Sequence, residues 1–189
     1  MRPLLFITSN KNKASECKQI LASLGVPVDI CLKEYTEVQR SNVREVAAES
    51  ARMLSRELSY RPFFIEDSAL EIHVLRGFPG PYSSYVYKTL GCRGILKLMS
   101  GVKDRRAKFR SVLALVDSSD RVHIVEAEVS GYITLEERGN TGWGFDPIFA
   151  PLEGSGETYA EMGPQKNRVS HRAKALRKLA EYISSWTQG

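Results

Sequence analysis

The sequence predicts an α/β fold, or its α+β variant, with a mixed sheet, and three observations carry that prediction. Apolar strand segments alternate with helical periods early in the chain, the order that brings strands together side by side in one sheet. Two longer strand patterns, Phe109 to Val116 and Val122 to Val129, then follow one another across Ser118-Ser119-Asp120 and read as an antiparallel hairpin. A closing helix places Ala173, Leu176, Leu179, Ala180 and Ile183 on one face.

Taken in order, Leu4 to Ile7 is a buried strand, followed by the polar turn Thr8-Ser9-Asn10-Lys11-Asn12-Lys13. Ala14, Cys17, Leu21 and Leu24 recur at helical spacing until Gly25 and Pro27 stop the helix. Val28, Ile30 and Leu32 alternate with Asp29 and Cys31 as a second strand. A polar loop from Glu34 to Ser41 holds Glu37. Asn42 and Glu45 then form a capping-box pattern before a helix with Val43, Val46, Ala47, Ser50, Leu54 and Leu58 on one face. Phe63-Phe64-Ile65 is a short buried strand ending in Glu66 and Asp67, and Leu70, Ile72 and Val74 mark another. Gly77 to Pro81 is a rigid turn, with short helices near Ser83–Leu90 and Gly94–Met99. Beyond the hairpin, which Tyr132 to Leu135 extends, a Gly-rich loop runs from Gly139 to Asp146, and Leu152 to Gln165 is mostly loop. The expected organisation is a single domain over residues 1–189.

Composition limits the function classes. Hydrophobic content of 42% and charged content of 26% are those of an ordinary soluble domain. The net charge of +5 favours an anionic partner without naming one. Cys17, Cys31 and Cys92 are scattered and form no C-x-x-C pair, which argues against a zinc site or disulfide framework and for a reducing compartment. The apolar run Leu4–Ile7 is too short for a signal peptide or membrane span, so the expected location is the cytoplasm.

Three stretches carry chemistry. Adjacent carboxylates at a strand end, Glu66 and Asp67, suit a divalent cation or a general base, because a buried acid without a partner is costly. Lys11 and Lys13 stand at a helix start, where partial positive charge already accumulates, and a polyphosphate would relieve that conflict. Lys166-Asn167-Arg168-Val169-Ser170-His171-Arg172 repeats the conflict at the last helix, with Ser170 as its candidate cap. Between them, Trp143 and Phe145 in a Gly-rich loop could stack on a planar ring or tuck into the core. Neither a Walker loop nor a Rossmann fingerprint is present. Together these features suggest one phosphate-rich ligand bridged to a metal. His73 and His123 read as structural or surface residues.

Five motifs occur in order: Thr8 to Lys13, Ile65-Glu66-Asp67-Ser68, Phe78-Pro79-Gly80-Pro81-Tyr82-Ser83, Gly142-Trp143-Gly144-Phe145-Asp146-Pro147-Ile148-Phe149, and Ser170-His171-Arg172. In these the chain resembles the inosine triphosphate pyrophosphatase, or XTP/dITP diphosphatase, family. The resemblance implies a Mg²⁺-dependent, homodimeric, cytoplasmic enzyme that hydrolyses ITP, dITP and XTP to the monophosphate and pyrophosphate. It also implies two lobes around a central cleft. By position, Thr8, Ser9, Asn10, Lys11, Asn12 and Lys13 would hold the triphosphate, with Lys13 the main charge partner. Asp67 would be proton acceptor and metal ligand, Glu37 the second metal carboxylate, Glu66 an assisting one, and Ser68 a substrate contact. Trp143, Gly144, Phe145, Asp146, Lys166, His171 and Arg172 would surround base and sugar. Two positions depart from the family pattern: Ser9 replaces a glycine, and Arg52 stands where many members have lysine.

The implied chemistry is attack of water at the α-phosphorus, with Lys13 and Arg172 offsetting charge. A donor from His171, Arg172 or a loop amide, aimed at the 6-oxo group, would select against adenine. The rival readings are a Maf-like pyrophosphatase acting on modified pyrimidine nucleotides and a nucleic-acid-binding module, the latter opposed by the acids at Glu37, Glu66 and Asp67.

Overall fold

The structure is a computed structural model that describes residues 3–185. Strand β1 (Leu4–Thr8) leads through Ser9 and Asn10 into helix α1 (Lys11–Ser23). Asn10 starts the helix because its side-chain oxygen accepts the amide hydrogens of Asn12 and Lys13 at 2.9 and 3.1 Å. Ala14, Cys17, Ile20 and Leu21 form the buried face, and Gly25, at φ +71°, lets the chain turn away. Strand β2 (Val28–Leu32) pairs in parallel with β1, Leu4 opposite Val28. Helix α2 (Val43–Glu57) is capped by Asn42, which accepts from the Glu45 amide at 3.0 Å. The Glu45 carboxylate returns to the Asn42 side-chain amide at 2.9 Å.

Strand β3 (Phe63–Ile72) runs on where the sequence suggests two strands, and pairs in parallel with β1. Its alternation continues through Ser68, so Glu66, Ser68 and Leu70 share one face while Asp67, Ala69 and Glu71 share the other. A 3-10 turn at His73–Leu75 takes up Val74, and β4 (Pro79–Gly80) returns antiparallel to Leu70 and Glu71. Helices α3 (Ser83–Thr89) and α4 (Gly91–Leu98) precede the long strands β5 (Arg106–Val116) and β6 (Val122–Ile133). Strand β7 (Phe149–Pro151) pairs antiparallel with β6, Ile133 opposite Phe149. The stretch expected to be mostly loop holds helix α5 (Tyr159–Met162), started by a capping box between Thr158 and Glu161. Helices α6 (Lys166–Val169) and α7 (His171–Ser184) follow. The strand order is β2-β1-β3-β5-β6-β7, with β4 against β3, so the sheet is mixed as the sequence predicts.

The chain divides into two compact units. The first comprises Met1–Asp67, Ser111–Ala127 and Arg172–Gly189, and the second Ser68–Arg110 and Glu128–His171. In the first, α1 and α7 pack Cys17, Ile20, Leu21, Ala173, Leu176 and Leu179 against Phe6, Phe64, Leu113 and Leu115 of the strands. Helix α2 covers the other strand face, where Arg44 pairs with Glu126 at 2.9 Å while the neighbouring Val125 and Ala127 join the α1–α7 core. The second unit has its own core of Leu70, Ile72, Ile95, Phe109, Ile133, Phe149 and Tyr159. Among the described residues no helix is long and apolar enough to cross a membrane.

Candidate functional site

In the first unit, the end of β1 and the start of α1 lie beside the carboxylates in the middle of β3. Thr8 is buried, and its hydroxyl accepts the Asn10 amide at 3.1 Å. Ser9, Lys11 and Asn12 are exposed, whereas Lys13 turns inward. The Lys13 ammonium donates to the Glu66 carbonyl at 3.0 Å and stands 4.0 Å from its carboxylate. Lys13 is therefore next to the residue that precedes Asp67. The Asn12 and Lys13 amides at the helix start are taken by the Asn10 side chain.

Glu66 has a different employment from the assisting metal ligand expected of it. It is fully buried, and both its oxygens are engaged: Oε1 by the Ser111 hydroxyl at 2.7 Å and Oε2 by Arg172 Nε at 2.8 Å. Burial pushes its carboxyl up, but the charges of Arg172 and then Lys13 prevail and hold it below the ordinary carboxylate value. Arg172 is also buried, and its Nη1 donates to Glu16. Its guanidinium is thus held by two carboxylates rather than turned toward a base and sugar. The conflict between this cation and the α7 dipole is real, and Glu16 and Glu66 resolve it without a phosphate.

Asp67 is half-buried on the strand face opposite Glu66, and Glu37 is exposed in the loop after β2. Tyr35 ties them to one neighbourhood. Its phenol is pushed well above its ordinary value, first by burial and then by the charges of Glu37, Asp67 and Glu66. Among the described residues no three His, Cys, Asp or Glu side chains gather as a ready-made metal cluster. Mg²⁺ does not require one, since it takes oxygen ligands from one or two carboxylates and completes its shell with phosphate and water. Glu37 and Asp67 fit that donor set. Ser68 is half-buried on the Glu66 face of β3, and Arg52 is exposed on α2.

In the second unit, the Gly-rich loop closes on Asp146, which is buried. Its Oδ2 accepts from the Lys166 ammonium at 2.7 Å and from the Trp143 amide at 2.9 Å. The same ammonium lies 5.2 Å from the Trp143 ring centroid and 5.7 Å from that of Tyr159. Gly142 sits at φ +76°, where a Cβ would come within 2.3 Å of Asp146 Oδ2, so no other residue fits unaltered. Gly144, at φ +64°, offers its carbonyl to the Cys92 thiol at 3.4 Å. The loop's two aromatics part company. Phe145 is buried edge-on against Tyr87, with centroids 5.4 Å apart, and serves the core. Trp143 is half-buried, with the Lys166 ammonium over its ring. His171 is buried and stacks on Phe109 at 4.6 Å with planes 9° apart.

Three residues of the first unit's network escaped the sequence reading: Glu16, Ser111 and Tyr35. Ser111 carried a usable signal, a lone hydroxyl leading an unbroken apolar run. Glu16 and Tyr35 carried none.

The sequence pattern of the Ham1 family matches residues 4–182. A dITP/XTP pyrophosphatase of Ignicoccus hospitalis is 46% identical over 184 residues, 97% of each chain. One of Korarchaeum cryptofilum is 47% identical over 180 residues, 95% of each chain. Among solved structures, a HAM1 protein from Coxiella burnetii superposes with a TM-score of 0.83 at 27% identity, covering 98% of this chain and 100% of that one. A nucleoside-triphosphatase / dITP/XTP pyrophosphatase from Mycobacterium abscessus gives 0.71 at 30% identity, covering 94% and 97%.

Proposed function

The chain belongs to the Ham1 family, and from that premise we propose that it hydrolyses the non-canonical purine nucleotides ITP, dITP and XTP to the nucleoside monophosphate and pyrophosphate. The observation that carries this reading is the Lys13 ammonium bonded to the Glu66 carbonyl, a cation suited to phosphate beside the residue that precedes Asp67 in β3. Cleavage at the α-phosphorus needs a positioned water, an acceptor for its proton and neutralisation of a polyanionic chain. Asp67 accepts the proton, and the Lys13 ammonium offsets charge on the phosphate tail. Glu37 and Asp67 would hold Mg²⁺, which supplies further charge neutralisation on the phosphates when bound.

In the second unit, Trp143 offers a ring face for a purine, held in place by Asp146 and Lys166. A donor from His171, Arg172 or a loop amide would meet the 6-oxo group, Arg172 being also engaged by Glu16 and Glu66. The three free thiols support a reducing, cytoplasmic location, and the homodimer rests on the family resemblance alone. No observation favours the pyrimidine-nucleotide or nucleic-acid readings.

The test is a pyrophosphate-release panel over ITP, XTP, ATP, GTP and dTTP, with Mg²⁺ and with EDTA. Release from ITP and XTP that EDTA abolishes is the expected result. Turnover confined to dTTP, or untouched by EDTA, contradicts the proposal.

A further inference from the structure

The geometry points to Glu66, Ser111, Arg172 and Glu16 as a set of positioning residues that keeps the Lys13 ammonium available for a phosphate tail. This inference rests on the functional reading above and adds residues to it. Four charges alternate through the first unit: Glu16, Arg172, Glu66, Lys13. A close, hydrogen-bonded ion pair between Glu66 and Lys13 would commit the lysine to its own neighbour. In the structure the pair is a loose one. Ser111 holds Oε1 of Glu66 at 2.7 Å and Arg172 Nε holds Oε2 at 2.8 Å. Lys13 is left at 4.0 Å from the carboxylate and bonded only through one proton to the Glu66 carbonyl at 3.0 Å. That carbonyl aims the ammonium, while the saturated carboxylate does not capture it. Glu16 in turn fixes the other side of the Arg172 guanidinium, so Arg172 stays on Oε2. None of Glu66, Ser111, Arg172 and Glu16 needs to touch the nucleotide to act.

Two substitutions separate this from a merely structural role because they move tail affinity in opposite directions. Ser111→Ala removes the donor on Oε1, and the carboxylate then turns toward Lys13. Glu66→Gln keeps the shape, with the amide oxygen accepting from Arg172 and the amide nitrogen donating to Ser111, but removes an anion beside the ammonium. The probe is ITP, and its dissociation constant is measured calorimetrically on the full chain in EDTA, so that metal binding does not enter. Ser111→Ala is expected to raise that constant about tenfold, the scale of one charge-assisted hydrogen bond. Glu66→Gln is expected to lower it roughly threefold to tenfold, since one repulsive charge is gone. Both effects should vanish in a Lys13→Met background, and Ser111→Thr should restore the wild-type value. If Ser111→Ala does not fold, Glu66→Gln with and without Lys13→Met still decides the matter. Two shifts in the same direction, or shifts that persist without Lys13, overturn the inference. Wild-type protein that neither binds ITP nor releases pyrophosphate would instead overturn the functional reading itself.

Discussion

Lys166 and Asp146 form an ion pair in the core of the second unit, and separating them should be costly. The perturbation is Lys166→Met, which keeps the length of the stem but leaves the Asp146 carboxylate buried without its 2.7 Å counter-charge. Removing one partner of a buried pair costs about 3–5 kcal/mol, because the remaining charge is uncompensated. The cation's contacts with Trp143 and Tyr159 are lost as well, at about 0.5–1 kcal/mol. For a chain of this length each kcal/mol moves the melting midpoint by about 2–4 °C, so a fall of roughly 8–20 °C is expected. Urea unfolding followed by circular dichroism gives the free energy, with the slope checked against wild type. The companion Asp146→Asn should cost a similar amount, since it leaves the lysine charged and buried. The double variant Lys166→Met/Asp146→Asn should recover most of the loss, because no uncompensated charge remains. Single variants within about 1 kcal/mol of wild type, or strictly additive losses, would refute the assignment of this pair as coupled and buried.

Asp67→Asn should abolish pyrophosphate release while leaving the melting temperature close to wild type; wild-type turnover in that variant removes Asp67 from the chemistry. Ser50→Ala should stabilise the chain by about 1 kcal/mol in urea, because the Ser50 hydroxyl is buried on the inner face of α2 without a hydrogen-bond partner, and a loss of stability would show that it has one. For Asp117, burial pushes the carboxyl up, but hydrogen bonds from His123 and from the Arg121 and Ser119 amides outweigh it and bring the value down from 3.8 to about 2. A depressed carboxyl stabilises the fold above its unfolded value and loses that contribution as pH falls. Stability should therefore drop from about pH 4 toward pH 2 in wild type, and that limb should flatten in Asp117→Asn.

Local signals carried the sheet well and the side-chain network poorly. Periodicity located α1, α2 and α7 because each presents a buried stripe, and the apolar run of β5 and the alternation of β6 were equally plain. The supposed break after Asp67 was an error of local reasoning. Two carboxylates at a strand end look like a stop, yet the alternation carries on and Glu66 finds its partners from β5 and α7. The cations at the two helix starts were correctly singled out as electrostatic conflicts. Their resolution was not legible, because Glu16 and Ser111 are distant in sequence from the residues they serve. In the same way, Trp143 and Phe145 look interchangeable in a Gly-rich loop, and only the structure separates the buried ring of Phe145 from the half-buried ring of Trp143. Asp146 and Lys166 stand twenty positions apart in the chain, a pairing that no local pattern encodes.

The interleaving of the two units bears on how this protein can be cut or recombined. Each unit is assembled from non-contiguous stretches, with the chain passing from one to the other after Asp67, Arg110, Ala127 and His171. A truncation from either end therefore removes part of one hydrophobic core without freeing the other as a self-sufficient fragment. Neither half can be transplanted into a fusion or exchanged between relatives as one continuous cassette. A chimaera must be designed with several junctions at once, or not at all.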